Sequence, residues 1–236
     1  MRSIAEILAD VRKVAKIYPA GSGHFVYSGG MHGDGYIDYR PLKEKQHAAL
    51  LREVSAALLQ QAVNQAGLDR NRKIAVVGPQ TMGALMVNAI GSACITGMIN
   101  DFANIGTRSL LKDPDKEDAF VWSHDPSMVL DGAQIIWVDD LLNTGKTAAI
   151  SRRMLEQFDA TIDVVATIGD RCNVTAGKLG VRSLVSLEEH PGFKVQHPDT
   201  CTLCASSTPI VLHPGHGHDF QNKHVAHPGG FIESPT

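Results

Sequence analysis

The sequence predicts an α/β protein built on an open, doubly wound parallel sheet, and three observations carry that expectation. Short continuous apolar runs (KIAVVG, QIIWVDD, DVVATIGD, VRSLVSL) alternate with segments of helical spacing. Such runs suit strands covered on both faces, and the alternation suits parallel crossovers. One of them, Ile135 to Val138, passes straight into Asp139 and Asp140, then a Gly-containing turn, then helical spacing through Ala148, Ile150, Met154 and Leu155. That order is expected at the ligand edge of an open α/β sheet.

Each element follows from local pattern. Ile4, Ile7, Leu8, Val11, Val14 and Tyr18 recur at helical spacing, so residues 3–18 read as an amphipathic helix that Pro19, Gly21 and Gly23 stop. HFVYSGGMHGDGYIDYRPL has β-rich ends around a Gly-rich turn and reads as a hairpin. Residues 45–66 form a second helix, KIAVVG a strand, and PQTMGALMVNAI a turn that becomes a helix. From about Glu188 onward His, Pro and Gly crowd the sequence, which predicts an irregular C-terminal tail. The expected organisation is therefore a main domain over 1–187, with the N-terminal helix and hairpin in about 1–44, and a tail over 188–236.

The bulk properties exclude several classes. The 236 residues, 43% hydrophobic, can bury a real core in one large domain with appendages. A net charge of -3 gives no electrostatic footprint for nucleic acid. No apolar run approaches twenty residues and no basic leader precedes an apolar core, so a cytoplasmic, soluble protein without a membrane partner is expected. Four cysteines in a chain this long do not suggest a disulfide scaffold.

The acid pair and its turn define a chemistry. Backbone N–H groups at a helix N-terminus bind anions, phosphate most readily. Gly145 lets the chain approach such a ligand, and Thr144 and Thr147 can donate to its oxygens. TGKT ends like a P-loop, but that motif needs a glycine five residues before Gly145, where Asp140 stands. Carboxylates that accept from ribose hydroxyls, beside a turn that binds phosphate, fit a sugar phosphate. An ordinary strand-turn-helix capped by Asn or Thr is the alternative, though caps do not require paired acids.

IIWVDDLLNTGKTA resembles the phosphoribosyl-pyrophosphate signature of type I phosphoribosyltransferases: four hydrophobics, two acids, two hydrophobics, then x-T-G-x-T. Over most of residues 20–213 the resemblance is to the orotate phosphoribosyltransferase family. GYIDYRPL, VVGPQTMG, RSLLKDP, GDRCN and CTLCASSTPIVLHPG resemble that family's segments in the right order. The resemblance implies transfer of the phosphoribosyl group from phosphoribosyl pyrophosphate to orotate, giving orotidine 5′-phosphate and pyrophosphate in pyrimidine biosynthesis. It implies a homodimer, with Mg²⁺ brought by the substrate rather than held by side chains. It assigns Asn143, Thr144, Gly145, Lys146 and Thr147 to the 5′-phosphate, and Pro79, Gln80 and Thr81 to pyrophosphate. Asp139 and Asp140 take the ribose. Arg108 and Lys112 fall at the start of a catalytic loop, and KDPDKEDA (112–119) reads as its charged lid or as a solvated surface loop. Arg171, Tyr36 and Ile37 fall to the base, Arg171 as a planar fork for a carboxylate or, failing that, a surface ion pair.

The sequence departs from the family at Ser109, which replaces a second loop lysine, at Pro114, which replaces a histidine, and in VYSGG (Tyr27, Ser28), which lacks a lysine. A phosphoribosyltransferase acting on another base, and a non-catalytic phosphoribosyl-pyrophosphate-binding regulator, are therefore the alternatives. In the tail, Cys201 and Cys204 form C-x-x-C with His197, His213, His216 and His218 nearby. A structural Zn²⁺ on Cys201 and Cys204 is one reading, but the histidine spacing is not a standard zinc set, which favours packed thiols. Cys94, in a buried helix pattern, and Cys172, beside the base segment, do not read as nucleophiles.

Overall fold

A computed structural model describes every residue except 1, 28, 103, 117, 118, 172, 173, 224, 225 and 236, so Ser28 and Cys172 lie outside the described residues. The chain forms two compact units, one of Met1–Val14 and Tyr39–Glu189, the other of Ala15–Asp38 and His190–Thr236. The second segment of the smaller unit begins close to the composition change at Glu188. That it shares a unit with residues 15–38 is not visible in composition.

The larger unit contains helices α1 (Ile4–Val14), α2 (Ala48–Ala66), α3 (Met82–Ile95), α4 (Ser127–Leu130), α5 (Lys146–Glu156) and α6 (Ala176–Leu179). Its strands are β1 (Ile74–Pro79), β2 (Ile105–Lys112), β3 (Phe120–Trp122), β4 (Gln134–Leu142), β5 (Val164–Asp170) and β6 (Ser183–Glu189). They form one sheet in the order β6-β5-β4-β1-β2-β3. Every pair is parallel except β2 and β3. The expected α/β class with a doubly wound parallel sheet is what forms.

Local signals set the helix ends. Ser3 and Glu6 make a capping box: Glu6 N–H donates to Ser3 Oγ at 3.3 Å and Ser3 N–H to Glu6 Oε2 at 2.9 Å. α2 ends in a Schellman motif at Gly67, φ +60°, with Leu68 N–H on Val63 O and Gly67 N–H on Asn64 O. α1 stops at Val14, short of the expected Tyr18, because Lys16–Tyr18 pairs antiparallel with Tyr36–Asp38. Ladder pairing there overrides the helical spacing of the side chains.

Alternation along the strands divides the core. Ala75, Val77, Ile135, Trp137 and Val165 pack with Ala148 and Leu155 of α5. Ile74, Val76, Ile136 and Val138, also inaccessible to solvent, point to the opposite face. α2 and α3 also pack on the sheet. Leu155 holds the helix that carries the Gly145 turn, so Leu155→Ala is expected to destabilise the chain by ~2–5 kcal/mol. Urea unfolding checks this; a loss below ~1 kcal/mol would mean that α5 is not anchored through Leu155.

The smaller unit is made of short elements. Phe25–Val26, His32–Gly33 and Val195–Gln196 form a three-stranded antiparallel sheet, and Ile210–Val211 pairs with Phe231–Ile232. Phe25, Tyr27, Tyr36 and Val211 are its core. No helix among the described residues is long and apolar enough to cross a membrane.

Candidate functional site

The strand order reverses at β1. The chain leaves β1 for β2 on one side and returns to β4 on the other. In open α/β sheets the crevice outside the carboxyl ends of two such strands is where ligands bind. Val77 aligns with Trp137, and the same offset puts Pro79 level with Asp139. Two glycines make the approach close. A Cβ on Gly78 would lie 2.5 Å from Gly83 O, and one on Gly83 would lie 2.5 Å from Pro79 Cδ and 2.6 Å from Val138 O. The spacing of GPQTMG therefore has a steric cause: β1, the start of α3 and β4 meet without room for a side chain.

Asp139 and Asp140 are partly buried at this meeting point, and β4 continues past them to Leu142. Asp140 N–H donates to Asp139 Oδ1 at 3.0 Å. Desolvation, then the neighbouring Asp140 charge, holds the Asp139 carboxyl well above the usual carboxylate range, although the Gly83 N–H opposes this. Thr167 aligns with Asp139 on β5, and its buried Oγ1 has no hydrogen-bond partner among the described residues. The site is thus rich in oxygen acceptors. Hard carboxylate oxygens fit Mg²⁺ and suit ribose hydroxyls.

The turn follows directly. Gly145 takes φ +75° as the N-cap of α5, and no side chain caps that helix. A Cβ on Gly145 would lie 2.5 Å from Leu179 Cδ2, so packing and conformation both favour glycine. Thr144 and Lys146 are exposed and Thr147 half-buried, with Lys146 N–H reaching Thr144 Oγ1 at 3.5 Å. Asn143 Oδ1 is buried without a hydrogen bond among the described residues. An uncapped first turn of an eleven-residue helix presents N–H groups suited to phosphate.

Pro79, Gln80 and Thr81 form the β1–α3 junction, where the Gln80–Thr81 peptide is cis and Thr81 makes no side-chain cap. Gln80 ties this junction to β2: its N–H donates to Leu110 O at 2.7 Å, and its Oε1 accepts from Lys112 N–H at 2.9 Å. Lys112 is exposed at the end of β2.

Arg108 and Lys112 do not open a loop, as the resemblance implied; both are in β2. Residues 105–110 pair one by one with β1, and 110–112 pair with β3. A charge-bearing strand near a sheet edge lacks the continuous apolar run that marked the others. Arg108 lies mid-strand opposite Val77, and its guanidinium donates to Thr107 O at 3.0 Å and Asp125 O at 3.3 Å. The connection after Lys112 is closed by Asp113 N–H on Ala119 O at 3.0 Å.

Arg171 directly follows β5, with its N–H donating to Leu142 O at 3.1 Å. It shares the sheet edge with the acid pair, but at 2% exposure it is no surface ion pair. Tyr36 and Ile37 belong to the smaller unit, where both are buried; the Tyr36 ring packs 5.7 Å from Phe25 and 6.1 Å from Tyr27. Cys201 and Cys204 lie in that unit beside His24 and His32, not in one group with His197, His213, His216 or His218. His197 instead meets Asp199, His216 meets Asp219, and His213 meets His218. The spacing of His24 and His32 across a Gly-rich turn was the one signal for them. Gly78 and Gly83 could have been read from G-P-x-x-x-G, whereas Thr167 carried none.

No family model matches the chain. Among solved structures, a phosphoribosyltransferase from Corynebacterium diphtheriae superposes with a TM-score of 0.53 at 18% identity, over 79% of this chain and 95% of that one. An orotate phosphoribosyltransferase from Aeropyrum pernix gives 0.51 at 21% identity, over 79% and 93%. An adenine phosphoribosyltransferase from Saccharomyces cerevisiae gives 0.51 at 16% identity, over 78% and 99%. With the sheet order and the crevice at β1 and β4, these likenesses establish that the chain has the type I phosphoribosyltransferase fold.

Proposed function

We propose that the chain transfers the phosphoribosyl group of phosphoribosyl pyrophosphate to orotate. The observation that carries this reading is the continuity of the Asp139–Asp140 pair with the uncapped N-terminus of α5. One stretch of chain thereby offers acceptors to the ribose hydroxyls and donors to the 5′-phosphate.

In the reaction the bond from ribose C1 to pyrophosphate breaks and a bond from C1 to the base nitrogen forms. Positive charge grows on the ring beside the acid pair, and preorganised groups aimed at a developing charge lower its energy. Pro79, Gln80 and Thr81, at the uncapped start of α3, take the departing pyrophosphate, with Lys112 on the same edge. Asp139 and Asp140 would stand beside the Mg²⁺ that comes with the substrate, an ion that would supply neutralisation of leaving-group charge. Arg108 already serves two backbone carbonyls, so its catalytic role rests on resemblance alone. A homodimer belongs to this reading and is checked by light scattering of the purified chain; a monomer at assay concentration that turns over would remove it.

The choice of orotate rests on Arg171, a planar guanidinium at the same sheet edge that can pair a carboxylate bidentately. The adenine phosphoribosyltransferase superposes as well as the orotate one, so the base must be measured. Pyrophosphate release with phosphoribosyl pyrophosphate, Mg²⁺ and a panel of bases is expected to require orotate. Arg171→Ala should weaken orotate by about 2–5 kcal/mol while leaving phosphoribosyl pyrophosphate binding nearly unchanged. Turnover with adenine or uracil alone would replace the base and keep the reaction. Tight phosphoribosyl pyrophosphate binding with no turnover on any base would make the chain a regulator instead.

A further inference from the structure

The strongest feature outside the crevice is a cluster in the smaller unit. His24 and His32 come from the hairpin, and Cys201 and Cys204 from the C-x-x-C turn. One ligand atom of each lies within 4.8 Å of all the others. His24 and His32 are fully buried, Cys201 is buried, and Cys204 is half-buried. We propose that His24, His32, Cys201 and Cys204 form a closed structural Zn²⁺ site.

The distances suit a tetrahedron. With Zn–S near 2.3 Å and Zn–N near 2.0–2.1 Å, tetrahedral ligands stand roughly 3.3–3.8 Å apart. Cys201 Sγ lies 3.6 Å from His24 Nε2, Cys204 Sγ 3.7 Å from the same atom, and Cys204 Sγ 3.3 Å from His32 Nδ1. Of these four distances the imidazole pair is the shortest, with His24 Nε2 2.9 Å from His32 Nδ1. An ion between them has to part those two nitrogens by about half an ångström and leave the sulfurs nearly in place.

The surroundings fix the ligand atoms. His24 Nδ1 lies 2.9 Å from Thr208 O, and a carbonyl can only accept. Nδ1 therefore carries the proton, and Nε2 turns its lone pair toward the cluster. Orientation of a metal-binding histidine through its other nitrogen is the usual arrangement at such sites. Cys201 precedes the short helix Thr202–Ala205, which contains Cys204, so one helical turn brings both sulfurs to one side. Phe220 meets the His32 ring edge-on at 5.1 Å, and His227 meets His24 at 5.5 Å. Two thiols and two imidazoles select zinc over Mg²⁺ or Ca²⁺, and four protein ligands leave no open position for catalysis. The ion would join two chain segments far apart in sequence, in a unit whose strands are two or three residues long. Small units of this kind are commonly stapled by a metal.

His213, His218 and Glu233 form a second, more exposed group and serve as the control. The test uses the full chain purified under reducing conditions without chelator. Metal analysis should find one equivalent of zinc. Co²⁺ exchanged into the native chain should give intense tetrahedral d–d bands and a thiolate-to-cobalt charge-transfer band. Cys201→Ser and His24→Ala should each lower bound zinc to about one tenth or less, while His213→Ala with His218→Ala should retain it. If the cysteine or histidine variants fail to fold, the Co²⁺ spectrum of the native chain decides alone. A reduced, folded native chain that takes up neither zinc nor Co²⁺ overturns the site. So does zinc that survives Cys201→Ser and is lost with His213.

Discussion

At pH 7 the chain carrying Asp139→Asn is expected to melt at a higher temperature than the native chain and to have lost phosphoribosyl transfer. The stability gain follows from the environment of Asp139, whose carboxyl is desolvated and beside a second carboxylate. Its pKa is raised on folding, so between the ordinary value of 3.8 and the raised folded value the native state holds more protons than the unfolded chain. Stability therefore falls as pH rises through that window and stays lower above it. Asparagine carries no charge to desolvate, yet its oxygen still accepts from the Gly83 and Asp140 N–H groups. The two melting curves should converge as pH drops below about 4 and separate toward neutrality, each kcal/mol amounting to about 2–4 °C. Activity moves the opposite way: about 10²–10³-fold is lost for each preorganised group removed from the site of developing charge. Melting temperature against pH and pyrophosphate release are the two measurements. A gap that widens toward acid would refute the electrostatic account, and undiminished turnover would refute the ribose assignment.

Gly83→Ala should be among the most damaging single-methyl changes in the larger unit, and Gly91→Ala, in the same helix, should be beneficial. At Gly83 the new carbon meets Pro79 Cδ at 2.5 Å and Val138 O at 2.6 Å, a rigid ring and a backbone oxygen. One of the three elements at the crevice has to move, at a cost of roughly 1–3 kcal/mol. The movement also draws the Gly83 N–H from Asp139, so activity should fall beyond what the remaining folded fraction explains. At Gly91 the nearest atoms are Thr107 Oγ1 at 3.7 Å and Thr107 Cγ2 at 3.8 Å, ordinary contact. The gain there is helix propensity, about 0.5–1 kcal/mol. Urea unfolding of both variants separates the effects. Equal stability of the two would mean that the β1–α3–β4 contact is looser than its geometry implies.

What was legible in the sequence was what adjacent residues encode. KIAVVG, QIIWV and DVVATI announce central strands because both faces of each are covered, and the acid pair with its turn is one continuous stretch. β2 was missed because Arg108, Ser109 and Lys112 give a strand next to the sheet edge the look of a loop. The spacing of Tyr18 fits the first helix, while the partner strand Tyr36–Asp38 that claims it lies beyond two turns. Cys201 and Cys204 were legible as a candidate zinc pair from C-x-x-C, but their partners His24 and His32 were out of reach for the same reason. Cys201 and His24 are 177 positions apart, and no local pattern links them. Arg171 was placed at the correct edge, but its burial depends on neighbours that a sequence window does not contain.

The make-up of the smaller unit also sets an order of events during synthesis. Its sheet pairs Gly33 with Val195 and His32 with Gln196, so the hairpin near the N-terminus leaves the ribosome long before its third strand exists. The larger unit has all its strands once Glu189 is made, whereas residues 15–38 must wait for the final stretch of chain. Pairings between such distant segments form slowly and leave strand edges exposed until they close. A nascent chain halted near residue 189 would therefore carry a complete six-stranded sheet and an N-terminal hairpin still without its third strand.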